Sequence, residues 1–348
     1  MNQNNVGLST YEVLAHEIIK RVLSDEDESE LRQWIMDTLI KMGGSDDDDA
    51  LMTWEESFDF TDKMIEEYER IARLPKGEQK ILDFPWTSWN KLIDPLEPGI
   101  MMTVTAPDGT GKTIYSESVA EHWAKNKNKV TFVHYELNKK IMMQRRIARH
   151  CWITLRAIKG GNLTPQEKEI ITEMRPALKK WEGNISYLHT PGWTIDKTLD
   201  ELRKIQAERG LDVVVIDYLE KIAVSTRQMR MFGTNIYQRE ADNVEQLKNF
   251  AESTGIPVLM VTQLNKQGKR AEWNERNSTD ISGSAEKANK SNVIVILDRD
   301  KQDDGTYSDI VQGIVSKNNQ GALGSFKQLM EPQFFRVGDI DDIQEVKS

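Results

Sequence analysis

The sequence has a single cysteine, Cys151, so no disulfide can form within the chain. Beside Trp152 in a helix-like stretch, that thiol reads as a small apolar filler. No apolar run approaches the roughly 18 residues that a bilayer-spanning helix needs. The stretch Met1 to Leu8 is polar and lacks the basic and apolar regions of a secretory signal. The expectation is a soluble cytoplasmic protein. Positive charge is also short: 46 Lys and Arg stand against 56 Asp and Glu, a net charge of −10. Bulk charge therefore does not draw this chain to nucleic acid, and only a local basic surface, such as the inside of a ring, would. Internal repeats and long low-complexity tracts are missing as well.

What is present is a chain of 348 residues, 38% hydrophobic, enough for a sizeable core and for two domains at most. Ser9 to Leu23 carries Leu14, Ile18, Ile19 and Val22 at helical spacing, with Ser9 and Glu12 as a capping box. A second helix is expected from Ser29 to Met42, ended by Gly43-Gly44. The run Ser45 to Asp49 holds four mutually repelling aspartates and reads as a solvated linker rather than a metal site. A third helix is expected from Trp54 to Arg73, with Phe58, Met64, Ile65, Tyr68 and Ile71 as its apolar face and Pro75 and Gly77 as its breakers. These signals divide the chain into a small helical module with an acidic linker (1–50), a linker helix (51–78) and a main domain (79–348).

From about Asp83 strand-like runs alternate with helical ones. Strands are expected at Ile100 to Thr105, Val130 to Tyr135, Val213 to Ile216, Val258 to Thr262 and Val293 to Leu297. Helices are expected at Thr113 to Lys125 and Asn235 to Ser253. This alternation predicts an α/β fold with a mainly parallel sheet, and the unbroken apolar strands suit a sheet covered on both faces.

Ala106-Pro107-Asp108-Gly109-Thr110-Gly111-Lys112-Thr113 follows a predicted strand and opens a predicted helix, the context a phosphate-binding loop requires. Its GxGKT ending arises by chance in a chain this long at on the order of one per cent, from average composition. Backbone N–H groups of Asp108, Gly109, Thr110 and Gly111 would turn around an anion at the positive end of a helix. Lys112 would neutralise the β- and γ-phosphates of ATP, and the Thr113 hydroxyl would hold Mg²⁺.

Hydrolysis needs a second acidic group on a neighbouring strand. Asp217 emerges from Val213-Val214-Val215-Ile216 and can hold Mg²⁺ through water, although a carboxylate there can also cap a helix. Glu136 follows Val130 to Tyr135 and would face the same crevice, as a general base for the attacking water or as a surface residue at a helix start. Gln263 ends Val258 to Thr262. As the fourth polar residue at such a position, it reads as a sensor of the γ-phosphate.

The region from about Asp83 to Val337 resembles the C-terminal motor domain of DnaB-type replicative helicases, which has a RecA-like P-loop core. The resemblance is an ordered series. It runs through Phe84-Pro85-Trp86 to Leu92, the loop with Ala106 in first position, Glu136, and Gly161-Asn162-Leu163-Thr164-Pro165 before a helix. It continues through Ile216-Asp217-Tyr218-Leu219, Val261-Thr262-Gln263-Leu264-Asn265, a DNA-binding loop at Asp280 to Ala285 and a subunit-interface hairpin at Gly313 to Gly324. The resemblance implies an ATP-hydrolysing DNA helicase, a homohexameric ring with single-stranded DNA in its channel, ATP between subunits, and a primase or loader as possible partners. It gives the Trp54 to Arg73 helix a seat on the adjacent subunit, and it implies an N-terminal helical domain that is absent or much reduced.

Two positions depart from the family pattern. The interface hairpin carries Lys317, which would act catalytically on the neighbour's γ-phosphate, but Asn319 stands where the family has an arginine. Lys317 alone, another basic residue, or slow hydrolysis are the open outcomes. In the DNA loop an arginine is replaced by Ser282. The backbone of Gly283 and Ser284, with Lys287 and Lys290, remains to hold phosphates, and Lys266, Lys269 and Arg270 can reach the channel; each cation can equally be solvated surface. Beside a helicase or translocase, two alternatives stand: an ATP-gated ring or filament adaptor with little unwinding, and a recombination ATPase of the same fold.

Overall fold

A computed structural model describes residues 54–75, 78–136, 139–264, 289–302 and 304–342, together with Ile18, Lys20, Arg21, Leu31 and Trp34. The chain forms two compact units, Met1–Arg73 and Leu74–Ser348. The predicted helices at 9–23 and 29–42 and the acidic run at 45–49 lie outside the described residues, apart from the five single positions named.

In the first unit, helix α1 spans Trp54–Arg73. Its Phe58, Met64, Ile65 and Tyr68 are exposed. Arg70 pairs with Glu67 at 2.6 Å and Arg73 with Glu69 at 2.7 Å, each within one turn. Both arginines lie in the last turn, where they also oppose the negative end of the helix dipole.

The second unit is an α/β sandwich. Its elements in chain order are α2 (Thr87–Asn90), β1 (Met101–Ala106), α3 (Lys112–Lys125), β2 (Val130–His134), α4 (Lys139–Cys151), α5 (Leu155–Gly160), α6 (Pro165–Glu182), β3 (Ile185–His189), α7 (Ile195–Arg209), β4 (Val213–Asp217), α8 (Thr226–Phe232), α9 (Ile236–Thr254), β5 (Val258–Gln263), β6 (Val293–Asp298), β7 (Ile310–Asn318), β8 (Gly324–Glu331) and β9 (Arg336–Asp339). Nine strands form one sheet in the order β3-β2-β4-β5-β1-β6-β7-β8-β9. The six strands β1 to β6 run parallel, and β7, β8 and β9 extend the sheet antiparallel.

The predicted strands recur within a residue or so of their expected bounds. Strand β3 carries no clear strand signal, for a physical reason: it is the edge, and only Ile185 of its five residues is fully buried. Alternation along β4 explains why apolar residues run unbroken there. Val213 and Val215 enter the core beneath α3, while Val214 and Ile216 enter the core beneath α7 and α9. Each face is covered, so each residue of the strand must be apolar.

Two clamps fix α3, the helix that carries the phosphate loop. At one side Trp86 and Trp89 pack on Tyr115, at ring separations of 5.1 and 5.7 Å. At another, Arg149 of α4 donates to Glu121 at 2.7 Å and to Glu117 at 3.0 Å. All three side chains are buried. Arg149 and the hydrogen-bonded His150 hold the Glu121 carboxyl far below the usual range despite its burial. The predicted turn before α6 is a full capping box: Thr164 accepts from Glu167 N–H and Glu167 from Thr164 N–H, with Pro165 in the first turn.

Candidate nucleotide site

The parallel strands β1, β2, β4 and β5 end side by side, and their carboxyl ends deliver the candidate residues. In register, Ala106 faces Gln263 and His134 faces Asp217. The phosphate loop leaves β1 and enters α3 with two residues in the left-handed region, Gly109 at φ +82° and Gly111 at φ +94°. A side chain at Gly111 would run into the Met330 thioether, and one at Gly109 would press on the Tyr307 ring at 3.1 Å. Glycine is thus required twice over at Gly111, by backbone and by space.

Lys112 Nζ donates to the carbonyls of Ala106 at 2.9 Å and Pro107 at 3.0 Å, and Asp108 Oδ1 lies 3.7 Å away. Its ammonium therefore lies over the mouth of the loop. Thr110 is buried, and among the described residues its hydroxyl has no hydrogen-bond partner. The Thr113 side chain lies beside the Asp217 carboxyl. Asp217 is itself buried, and among the described residues its Oδ1 has no hydrogen-bond partner. Burial pushes the Asp217 carboxyl up to about 7 and Glu117 adds to the shift, while Thr113 and the Arg145 and Lys112 cations oppose it. An open carboxylate oxygen beside a hydroxyl is a hard, oxygen-only donor pair. It suits a cation such as Mg²⁺, which keeps most of its shell as water and phosphate. A cation there would also relieve the Asp217 charge that burial disfavours.

Glu136 stands two residues beyond β2, exposed, with Lys221 Nζ 3.7 Å from its Oε1. Lys221 Nζ also lies 5.7 Å from the centre of the Tyr218 ring. The Asp217–Tyr218 peptide bond is cis. Gln263 is the last residue of β5, and its backbone N–H donates to Glu220 Oε1 at 3.0 Å. Lys112, Thr113, Asp217, Glu136 and Gln263 thus all lie at one end of the sheet.

A model of the DnaB-like helicase C-terminal domain matches residues 84–339. The chain belongs to that family. The replicative DNA helicase DnaB of Geobacillus stearothermophilus is 23% identical over 269 residues, which cover 76% of this chain and 58% of the relative. The replicative DNA helicase DnaC of Bacillus subtilis (strain 168) matches with the same identity and coverage. The chain therefore spans a little over half the length of these relatives. Among solved structures, an ATPase domain aligns with a TM-score of 0.67 at 18% identity, over 80% of this chain and 98% of that one. A DnaB-like replicative helicase, solved in a study of its interactions with primase, aligns with a TM-score of 0.71 at 17% identity, over 94% of this chain and 74% of that one. The fold is thus the RecA-like core of the DnaB-like ATPases.

Within this DnaB-like domain, two of the remaining predicted site residues, Lys317 and Lys290, are among the described residues. Lys317 pairs with Ile294 at the amino end of β6, the opposite end of the sheet from the phosphate loop, and its ammonium donates to the Asn289 carbonyl at 3.0 Å. Its own chain does not bring it to Lys112. The interface hairpin is longer than the predicted Gly313 to Gly324: β7 begins at Ile310 and β8 ends at Glu331, with Asn319 in the turn. Lys290 forms an exposed ion pair with Glu245 of α9. Lys266, Lys269, Arg270, Ser282, Gly283, Ser284 and Lys287 lie outside the described residues. Sequence reasoning passed over Lys221, Tyr218 and Glu220. Their only signal is their place directly after Asp217. It also passed over Arg299, whose guanidinium reaches the Gly109 carbonyl at 3.4 Å and the Ser308 carbonyl at 2.7 Å.

Proposed function

We propose that this chain is the motor of an ATP-dependent DNA helicase or translocase, which hydrolyses ATP at the subunit interfaces of a homohexameric ring around single-stranded DNA during replication. The observation that carries the reading is Asp217: a buried carboxylate with an open oxygen, held against Thr113 at the foot of a glycine-turned phosphate loop. Bound MgATP supplies a charge-neutralised γ-phosphoryl group that water can attack. The backbone of residues 108–111 and the Lys112 ammonium hold the phosphates, with Lys112 turning from the Ala106 and Pro107 carbonyls toward them. Thr113 and Asp217 hold the cation. Glu136 orients the attacking water and accepts its proton. Gln263 registers whether the γ-phosphate is present.

Lys317 points away from its own loop and acts on the nucleotide of the adjacent subunit. Asn319 leaves that subunit without an arginine finger, worth roughly three to five decades of rate in related phosphoryl transfers. Single-stranded DNA is held in the channel by the Gly283 and Ser284 backbone and by Lys266, Arg270 and Lys287, with Lys290 adding what its Glu245 partner leaves. Helix α1 docks its exposed apolar face on the neighbouring subunit as a linker helix between a small module (1–50) and the motor (79–348). Primase is the partner class suggested by the solved relative studied with primase, and a loader is a further partner that the family resemblance implies. The place of action is the cytoplasm; among the described residues no helix is long and apolar enough to cross a membrane.

Asn319 also favours a second reading, an ATP-gated ring that recruits partners and barely turns over. Steady-state ATP hydrolysis with and without single-stranded DNA, on wild type and Lys112→Ala, separates the two when paired with a mass measurement in MgATP. The motor predicts several-fold stimulation, its loss in Lys112→Ala, and about six subunits. A ring whose slow hydrolysis ignores DNA supports the adaptor.

A further inference from the structure

Strands β4 and β5 are neighbours, but their pairing stops early. The ladder runs Val214 to Val258, Val215 to Leu259 and Ile216 to Met260, and goes no further. Beyond Met260, residues Val261, Thr262 and Gln263 keep their pairing only on the other side, to Val104, Thr105 and Ala106 of β1. The end of β5 that carries Gln263 would be tethered on one side only, in the gap between the phosphate loop and Asp217.

Glu220 fills that gap. It lies in the 3-10 turn Leu219–Lys221 that directly follows β4. Its Oε1 accepts the Gln263 backbone N–H at 3.0 Å and also accepts the Thr262 hydroxyl. Thr262 is fully buried, so its hydroxyl would otherwise need another acceptor inside the protein. A carboxylate is a stronger acceptor than a peptide carbonyl, and one oxygen serves both donors. Neither bond uses the Gln263 side chain.

We propose that Glu220 is a positioning residue: it replaces the missing β4–β5 ladder and fixes Gln263 relative to Asp217 and the phosphate loop. The proposal deepens the function proposed above and rests on Gln263 sensing the γ-phosphate there. Movement of the Asp217 turn is thereby passed to Gln263 without a direct contact between their side chains.

The test has two readouts. The first is amide hydrogen exchange over residues 258–264 in nucleotide-free protein. Glu220→Ala is expected to speed exchange in this segment by about tenfold or more, while β1, β2 and β6 keep wild-type protection. Glu220→Gln, which keeps an acceptor, is expected to stay near wild type. The second is kinetic. Glu220→Ala and Gln263→Ala are each expected to lower DNA-stimulated kcat by about tenfold, with KM for ATP within about twofold, and the double variant is expected to be no slower than the slower single. Unchanged exchange in Glu220→Ala overturns the proposal, and so do kinetic losses that multiply in the double variant. If wild-type hydrolysis ignores DNA, the proposed function fails, and the exchange pattern still decides whether Glu220 holds Gln263.

Discussion

The Thr113 side chain and the Asp217 carboxyl face each other across the gap between α3 and β4, and among the described residues the buried Asp217 Oδ1 has no hydrogen-bond partner. One group comes from the first turn after the phosphate loop and the other from the end of a core strand 104 positions later in the sequence, counted as 217 − 113. The sheet register brings them together, and burial sets their chemistry.

The first prediction concerns pH. Asp217 titrates near 7 when folded and near 3.9 when unfolded, so between those values the folded state holds a proton that the unfolded state has lost. Its contribution to stability is present at low pH and is lost as pH rises through about 7. In metal-free buffer, wild type is expected to lose stability relative to Asp217→Asn between pH 5 and pH 8, read by urea denaturation. Mg²⁺ with nucleotide should stabilise wild type at pH 8 by more than it stabilises Asp217→Asn, whose phosphate loop and Lys112 are intact. Parallel pH profiles for the two proteins would contradict the assignment.

The second prediction concerns the clamp on α3. Arg149 is buried against Glu117 and Glu121, and removing it breaks two buried ion pairs, leaving Glu117 to Arg145 and Glu121 to Arg146 and His150. Arg149→Met is expected to cost about 3–5 kcal/mol of unfolding free energy. A loss below about 1 kcal/mol would mean that the network relaxes around the change.

The third prediction concerns Glu136. Its carboxylate is engaged by Lys221 at 3.7 Å in an exposed setting, where such pairs are weak and screened by solvent. Lys221→Ala should therefore raise basal hydrolysis by about two- to five-fold by leaving Glu136 to the water, and added salt should narrow the difference. A slower variant would assign Lys221 a role on the phosphate instead.

The nucleotide half of the site was legible because its chemistry is local. The loop from Ala106 to Thr113, and Asp217 after four β-branched residues, each carry their meaning within a few positions. The strands were legible for the same reason: Val213 to Ile216 must be apolar on both sides. The buried Arg149 network and the Glu220 tether were not. Arg149 meets Glu117 across 32 positions and Glu220 meets Gln263 across 43, and no periodicity in one segment announces a partner in another. Strand β3 was missed because an edge strand has little to bury.

The fourth prediction concerns the subunit boundary. If Lys317 and Asn319 face the neighbour's phosphates, Asn319→Arg should raise kcat by at least about tenfold, a fraction of what an arginine finger supplies elsewhere. In mixed rings, Lys112→Ala subunits that carry Asn319→Arg should still accelerate wild-type neighbours. Acceleration confined to subunits with an intact Lys112 and Asn319→Arg in the same chain would contradict an action between subunits.

Strand displacement tests the central claim most directly. A labelled strand on a forked DNA duplex is followed with wild type, Lys112→Ala and Glu136→Gln in MgATP. The motor account predicts ATP-dependent release by wild type and none by either variant. Assembly on DNA with ATP, but with no release by wild type, would contradict it.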